Sequence, residues 1–258
     1  MNTGSNLISI LMPNYNKAPY LKEAIDSVIR QTNPNWELII CDNGSTDHSD
    51  MVIREYIGNS KIKALWYPKK LGTAPALNKC FDASSGNFIK RLDSDDRMKP
   101  GCLSNLQKGF SLHSEADGVY GDIDEIDVDG QFKKHCKIPE DAQSKIFNTC
   151  VISNQGLMVT RKAALSIGGF DERIVLSEDW DFIISLIKAG SKLVYIGDAE
   201  AEWRIVPDAK HVQSKTRIYP LGSMVRSADH AYIRFKHHLK GQCLCGCGAT
   251  AADYENKT

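Results

Sequence analysis

The chain has 258 residues, 42% of them hydrophobic and 25% charged, which is the composition of a globular protein long enough to bury a core without disulfide staples. Lys plus Arg and Asp plus Glu both number 32, so the formal net charge is zero, and the basic excess that marks nucleic-acid binders is missing. No stretch approaches the ~18 apolar residues of a membrane span, and the apolar run over 7–12 is too short for a secretory leader, so the eight cysteines are expected as thiols in a reducing cytoplasm.

Residues 7–12 (LISILM), closed by Pro13, read as a buried strand. Over 20–31, Leu21, Ala24, Ile25, Val28 and Ile29 recur at helical spacing and predict one amphipathic face. Residues 36–41 (WELIIC) predict a second strand, ended by the turn-rich DNGSTD, and 47–57 a second helix. A third strand is predicted over 62–67, a third helix over 73–83 with Pro75 tolerated near its start, and a fourth strand over 87–92. This β-α-β-α-β-α-β order predicts an α/β fold, a mostly parallel sheet flanked by helices. Beyond it, 117–122 read as a strand and 124–138 as a hairpin turning at Asp-Gly. Residues 160–167 and 178–189 predict helices, 192–196 a strand and 223–240 a last helix, followed by a loose Gly- and Cys-rich tail.

Ligands of open α/β sheets bind beyond the carboxyl ends of the strands. Three predicted strand ends carry polar groups: Asn14-Tyr15-Asn16, Asp42-Asn43 and Asp93-Ser94-Asp95-Asp96. No G-x-G-x-x-G follows the first strand and no G-x-x-x-x-G-K-[ST] occurs, which removes the main support for nicotinamide and Walker-type sites. The third strand end is the most informative. Two carboxylates about 5 Å apart repel by roughly 3 kcal/mol at an effective dielectric near 20. A hard divalent cation, Mg²⁺ or Mn²⁺, offsets that repulsion, because it takes oxygen ligands and keeps waters or phosphates in its shell. The competing reading is a solvated acidic turn.

Five segments in order resemble the family-2 inverting glycosyltransferases of GT-A fold: ISILMPNYNKAPYLKEAIDSVIRQT, WELIICDNGSTD, LGTAPALNKCFDASSGNFIKRLDSDD, GLMVTRKAALSIGGFDE and SEDWDF. The resemblance implies a nucleotide-sugar donor lying across the ends of the first strands, with a UDP-sugar first and a GDP- or dTDP-sugar next. On its terms Pro13 and Tyr15 lie near the base, Asp42 reads the base edge, and Lys70 (or Lys69) and Asn78 contact ribose or phosphate. Asp95 coordinates the metal, with Asp93 beside it or facing the ribose or sugar, and His211 is a further metal-side candidate. Asp179 is implied as the general base that deprotonates the acceptor hydroxyl, with Glu178 and Asp181 as substitutes. Asn154 with Gln155, Trp180 and Arg204 are implied on the acceptor side. Read locally, Ser177 as an N-cap with acids behind it is also what a helix start favours by itself.

The resemblance divides the chain into a catalytic domain over 1–220, with 1–97 as the donor half and 98–220 as the acceptor half, and a helical appendage over 221–258. It implies transfer of a sugar to a carbohydrate or lipid-linked glycan acceptor, in surface polysaccharide or glycolipid synthesis, and allows a homo-oligomer. The last helix places Val225, Ala228, Tyr232, Phe235 and Leu239 on one stripe and Arg226, Arg234, Lys236 and Lys240 on other faces. That pattern is expected either to dock on protein or to lie against anionic lipid at the inner face of a membrane. Cys243, Cys245 and Cys247 stand two residues apart, tighter than usual metal spacing. A nucleotidyltransferase and a non-catalytic nucleotide-sugar-binding module are the alternative functions. The first should carry a glycine-rich phosphate loop, which MPNYNK lacks.

Overall fold

The computed structural model describes residues 6–139, 141–206, 220–240 and 250–252. Strands β1 (Ile8–Asn14), β2 (Trp36–Asn43), β3 (Ile62–Tyr67) and β4 (Phe88–Arg91) alternate with helices α1 (Ala18–Ile29), α2 (Ser49–Arg54) and α3 (Thr73–Ala83). There follow β5 (Arg97–Met98), α4 (Cys102–Leu112), β6 (Gly118–Ile126), β7 (Phe132–Cys136), α5 (Ala142–Lys145), a 3-10 turn (Asn154–Gly156), β8 (Leu157–Thr160), α6 (Arg161–Ser166), α7 (Glu178–Lys188), β9 (Leu193–Arg204) and α8 (Pro220–Lys236).

The described strands form one sheet in the order β3-β2-β1-β4-β8-β6-β9-β5, with β7 paired to β6. β1 runs parallel to both β2 and β4, and β2 parallel to β3, as the alternation predicts. β8 then runs antiparallel to both β4 and β6, and β9 returns parallel to β6. The strand period of two divides the core. Ile8, Ile10 and Met12 of β1 and Leu38 and Ile40 of β2 pack with α1 and α4 on one face. Leu11, Ile39 and Cys41 face the other side, with α3, α6, α7 and α8. Each fully buried aliphatic side chain contributes about 1.5–3 kcal/mol. Cys41, Cys80 and Cys102 are buried free thiols.

Two elements depart from expectation. β9 runs to Arg204 rather than ending near 196, past positive φ at Gly197 (86°) and Glu200 (53°). Its register on β6 shifts twice, and Gly197 followed by the weak strand formers of DAEAE hides the strand from pattern reading. The last helix is no appendage in its packing: Tyr232 and Ile233 join the core cluster of α7. Arg234, expected on an outward basic face, is fully buried and donates to the Phe147 carbonyl at 3.3 Å. Lys236 turns inward to Asp171 and Asp181, at 3.0 and 2.8 Å. The side chains of Val225 and Arg226, and the Cys243–Cys245–Cys247 run, lie outside the described residues. No described helix is long and apolar enough to cross a membrane.

Candidate active site

The parallel register aligns the carboxyl ends of β1 and β2, with Asn14 opposite Asp42. Asn14 Nδ2 donates to Asp42 Oδ2 at 3.0 Å, and the Ser45 amide donates to Asp42 Oδ1 at 3.0 Å. Gly44 follows at φ 76°, and a Cβ there would come within 2.6 Å of the Lys69 carbonyl carbon. Glycine therefore lets the 69–72 loop lie against the end of β2. Asn43 fixes it further, accepting from the Leu71 amide at 2.6 Å and donating to the Gly72 carbonyl at 2.9 Å. The loop thus carries Lys70 Nζ to 3.9 Å from the centroid of the Tyr15 ring, a cation–π contact. Asp47, at the end of DNGSTD, accepts the Ala18 amide at the start of α1 at 3.0 Å, which sets Lys17 at the cleft.

The acidic triplet after β4 is not a solvated turn. Arg91 holds Asp93 with Nε at 2.6 Å and Nη2 at 3.0 Å. Lys17 Nζ lies 2.6 Å from Asp95 Oδ2. Asp96 is 2% exposed and accepts from Gln155 Nε2 and the Arg204 amide, both at 2.7 Å. Burial first, then the neighbouring Asp95 and Asp93, push the Asp96 carboxyl well above the usual carboxylate range. Beneath the triplet, Lys90 is fully buried and donates to the Arg91 and Gln155 carbonyls at 2.6 and 2.7 Å. Desolvation pulls its ammonium down to about 8.

Across the cleft stands the first turn of α7. Ser177, Glu178, Trp180 and Asp181 are buried, and Asp179 alone of 177–181 is partly open. Glu178 Oε1 is 3.2 Å from Arg91 Nη2, so one guanidinium joins the Asp93 side of the cleft to the Asp179 side. Asp181, 2% exposed, faces away and takes Lys236 Nζ and His237 Nε2, both at 2.8 Å. Of the three acids in this turn, Asp179 is therefore the one both open and on the cleft wall.

The cleft encloses about 790 Å³, within the usual size of a small-ligand site. Pro13, Tyr15, Lys70, Asp93, Asp95, Asp179 and Arg204 all line it. Four other expected site residues are placed elsewhere. Asp42 lies just behind the wall, 5% exposed. Asn78 holds the 168–172 turn: its Nδ2 donates to the Phe170 carbonyl and its Oδ1 accepts the Phe170 amide, both at 2.9 Å. A Cβ on Gly169 would meet Asn78 Oδ1 at 2.8 Å, and Gly168 and Gly169 both take left-handed backbone, at φ 76° and 81°, which together account for the Gly-Gly there. Asn154 is 4% exposed and points away from the cleft wall, and its neighbour Gln155 reaches the aspartates in its place.

Trp180 is a core residue, 1% exposed, donating its indole N–H to the Ile146 carbonyl. Its position on the buried helical stripe is what excludes it from the acceptor wall. Arg204 also differs in role. Its Nε donates to the Asp95 carbonyl at 2.8 Å and its Nη1 to the Asp127 and Val128 carbonyls at 3.1 and 2.9 Å, so it braces the aspartate loop instead of presenting a free guanidinium to an acceptor. His211 lies outside the described residues.

Lys17 and Arg91 were missed, whereas Gln155, expected beside Asn154, does line the cleft. The available signal was an arginine at the end of an apolar strand, two residues before Asp-x-Asp. Among the described residues no three His, Cys, Asp or Glu side chains gather around one point. Asp93 and Asp95 nonetheless offer carboxylate oxygens, the donor type a hard divalent ion prefers when waters and phosphates complete its shell. The Lys17 ammonium already neutralises one oxygen of Asp95.

The profile of glycosyl transferase family 2 matches residues 9–166. A chondroitin synthase of Pasteurella multocida is 31% identical over 185 residues, covering 71% of this chain and 19% of the synthase, so the chain spans only a minor part of that relative's length. The Escherichia coli UDP-Glc:alpha-D-GlcNAc-diphosphoundecaprenol beta-1,3-glucosyltransferase WfgD is 30% identical over 255 residues, covering 97% of both chains. Among solved structures, the mannosyltransferase PcManGT of Pyrobaculum calidifontis, in complex with GDP-Man and Mn²⁺, superposes with a TM-score of 0.69 at 18% identity over 93% of this chain and 66% of that one. That likeness is one of fold, and it identifies the curled α/β sheet described above as GT-A type. Taken with the profile match and the end-to-end relative, it leads to one assignment: the chain belongs to glycosyl transferase family 2.

Proposed function

We propose that the chain transfers a glycosyl unit from a nucleoside-diphosphate sugar to an acceptor hydroxyl with inversion, and that Asp179 is its general base. One observation carries this reading: Asp179 is the single open acid of its turn and faces a cleft whose other wall holds Asp93 and Asp95. In the transfer, the acceptor oxygen bonds to the anomeric carbon as the bond to the diphosphate oxygen breaks, and Asp179 takes the hydroxyl proton. Proton transfer of this kind contributes about 10²–10⁴-fold. No covalent nucleophile is needed, because a single displacement inverts the centre.

Pro13 and Tyr15 frame the base side. Asp42 keeps unused lone pairs for a base N–H behind them, and Lys70 is placed to leave the Tyr15 ring for phosphate when a base stacks there. Asp93 and Asp95 supply oxygen donors for a Mn²⁺ or Mg²⁺ ion, whose contribution when bound is Lewis-acid stabilisation of the departing diphosphate. The relative named for UDP-Glc and a diphosphoundecaprenol-linked acceptor matches nearly end to end. It supports a UDP-sugar donor and a lipid-linked glycan acceptor.

The test pairs a screen with one substitution. UDP-, GDP- and dTDP-sugars are tried for nucleoside diphosphate release with Mn²⁺, and Asp179→Asn is compared with wild type on the best donor. We expect the substitution to lower kcat about 10²-fold or more and to leave the UDP-induced thermal shift intact. Turnover by Asp179→Asn within twofold of wild type would overturn the assignment of the base.

A further inference from the structure

The last helix sends several side chains to one target, the entry to α7. Asp229 is 5% exposed. Its carboxylate accepts the Val175 amide at 3.2 Å from both oxygens and the Leu176 amide at 2.6 Å, and the Ser177 amide adds to the set. Consecutive amides converging on one point form an anion-binding concavity, and here a carboxylate from 53 residues along the chain fills it. The next residue, His230, places Nε2 3.0 Å from Ser177 Oγ. Its ring meets Trp180 edge-on, with centroids 4.7 Å apart at 69°. The amides Asp229 holds immediately precede Glu178 and Asp179, and Leu176 itself lines the cleft.

We infer that Asp229 is a positioning residue for Asp179: it fixes the backbone of 175–177 so that the candidate base opens on the cleft. This rests on the reading of Asp179 given above. The role is separable from holding α8 in place. Ile233 and Tyr232 anchor the helix in the core, and Lys236 and His237 bind Asp181 independently. Removing the Asp229 carboxylate therefore leaves a docked helix and an untethered loop. Misplacement of a catalytic group by about 1 Å costs on the order of 10²-fold in rate.

The experiment compares Asp229→Ala and Asp229→Asn in the wild-type and Asp179→Asn backgrounds, using the donor found by the screen. Asp229→Ala is expected to lower kcat about 10–10²-fold with the donor KM and the UDP–Mn²⁺ thermal shift unchanged. Asp229→Asn keeps a carbonyl oxygen for the amides and should recover most of the loss. In the Asp179→Asn background, Asp229→Ala should cost nothing further, since a base that is absent cannot be misplaced. Hydrogen exchange supplies a readout independent of turnover: amides 175–177 should exchange about tenfold faster or more in Asp229→Ala, with 231–236 unchanged. Equal exchange at 175–177 overturns the inference, as does the same fractional loss of kcat in both backgrounds. Wild-type turnover by Asp179→Asn alone overturns the base and the positioning role with it, whereas equal exchange at 175–177 with Asp179→Asn impaired overturns the positioning role and leaves the base.

Discussion

Arg91 is where the two walls of the candidate site meet. It is held between Asp93 and Glu178, with its side chain 10% exposed and the Glu178 side chain 7% exposed. The two carboxylates raise the guanidinium further above its ordinary value against the pull of burial, so it is charged at every pH the fold survives. Its Nη1 is buried without a hydrogen-bond partner, which adds to the cost of burying the group. Replacing one member of a buried ion pair leaves the others uncompensated at a cost of about 3–5 kcal/mol. Arg91→Met is thus expected to lower the unfolding free energy by that amount in urea denaturation. Arg91→Lys keeps a charge without the planar fork and should fall between. A loss under about 1 kcal/mol, the scale of an exposed pair, would show that the clamp is absent in solution.

At the scale of elements, the edge strand β7 depends on a titratable fastening. His135 Nδ1 lies 2.8 Å from Asp124 Oδ1 and its Nε2 3.3 Å from Asp122 Oδ2, both acids on β6. The Asp124 hydrogen bond, ahead of Asp122, raises the imidazole above its ordinary value. A raised histidine stabilises the folded state fully below its unfolded value near 6.5 and loses that contribution as pH rises through the folded value. The side chain is 44% exposed, so solvent screens the effect and it stays local. Since Cys136, Lys137 and Ile138 line the cleft, loosening β7 loosens part of its lining. Hydrogen exchange at 132–138, corrected for intrinsic rates, should lose protection as pH rises above about 6.5 in wild type and not in His135→Gln. An identical pH response in both would remove the fastening. The hairpin itself was legible because Asp-Gly announces its turn. β1 and β2 were legible too, because parallel strands buried on both faces read as largely apolar runs, and the edge strand β3 was legible by its alternation. β8, four residues long, gives too short a pattern to separate from the helix start behind it. The end of β9, with Arg204 on it, was not legible as strand because Gly197 breaks the apolar run and DAEAE, though it alternates, is built of Asp, Ala and Glu, which strands disfavour. The Lys17–Asp95 and Arg91–Glu178 pairs join residues far apart in sequence, and no local pattern encodes them. Trp180 shares the helical stripe of Ile183, Ile184 and Ile187, and the stripe is the better guide to where its ring lies.

For the molecule as a whole, one sheet spans both halves of the chain. β5 of the first ninety-eight residues pairs with β9 at the far edge, and β8 lies between β4 and β6, so the donor and acceptor halves are not separate folding units. The same holds for the last helix. Ending the chain at residue 219 removes Tyr232 and Ile233 from the core, about 1.5–3 kcal/mol each when fully buried. It also strips Lys236 and His237 from Asp181, which is 2% exposed, and an uncompensated buried carboxylate costs about 3–5 kcal/mol. Together these losses approach the whole of a typical folding free energy, about 5–15 kcal/mol. The truncated chain is therefore expected to lack a cooperative thermal transition, where the full chain shows one. A helix lying on a membrane would leave the body of the protein indifferent to its removal. If the truncated chain instead melts cooperatively within a few degrees of the full one, the helix is dispensable to the fold and its inward lysine and arginine are free to serve a surface.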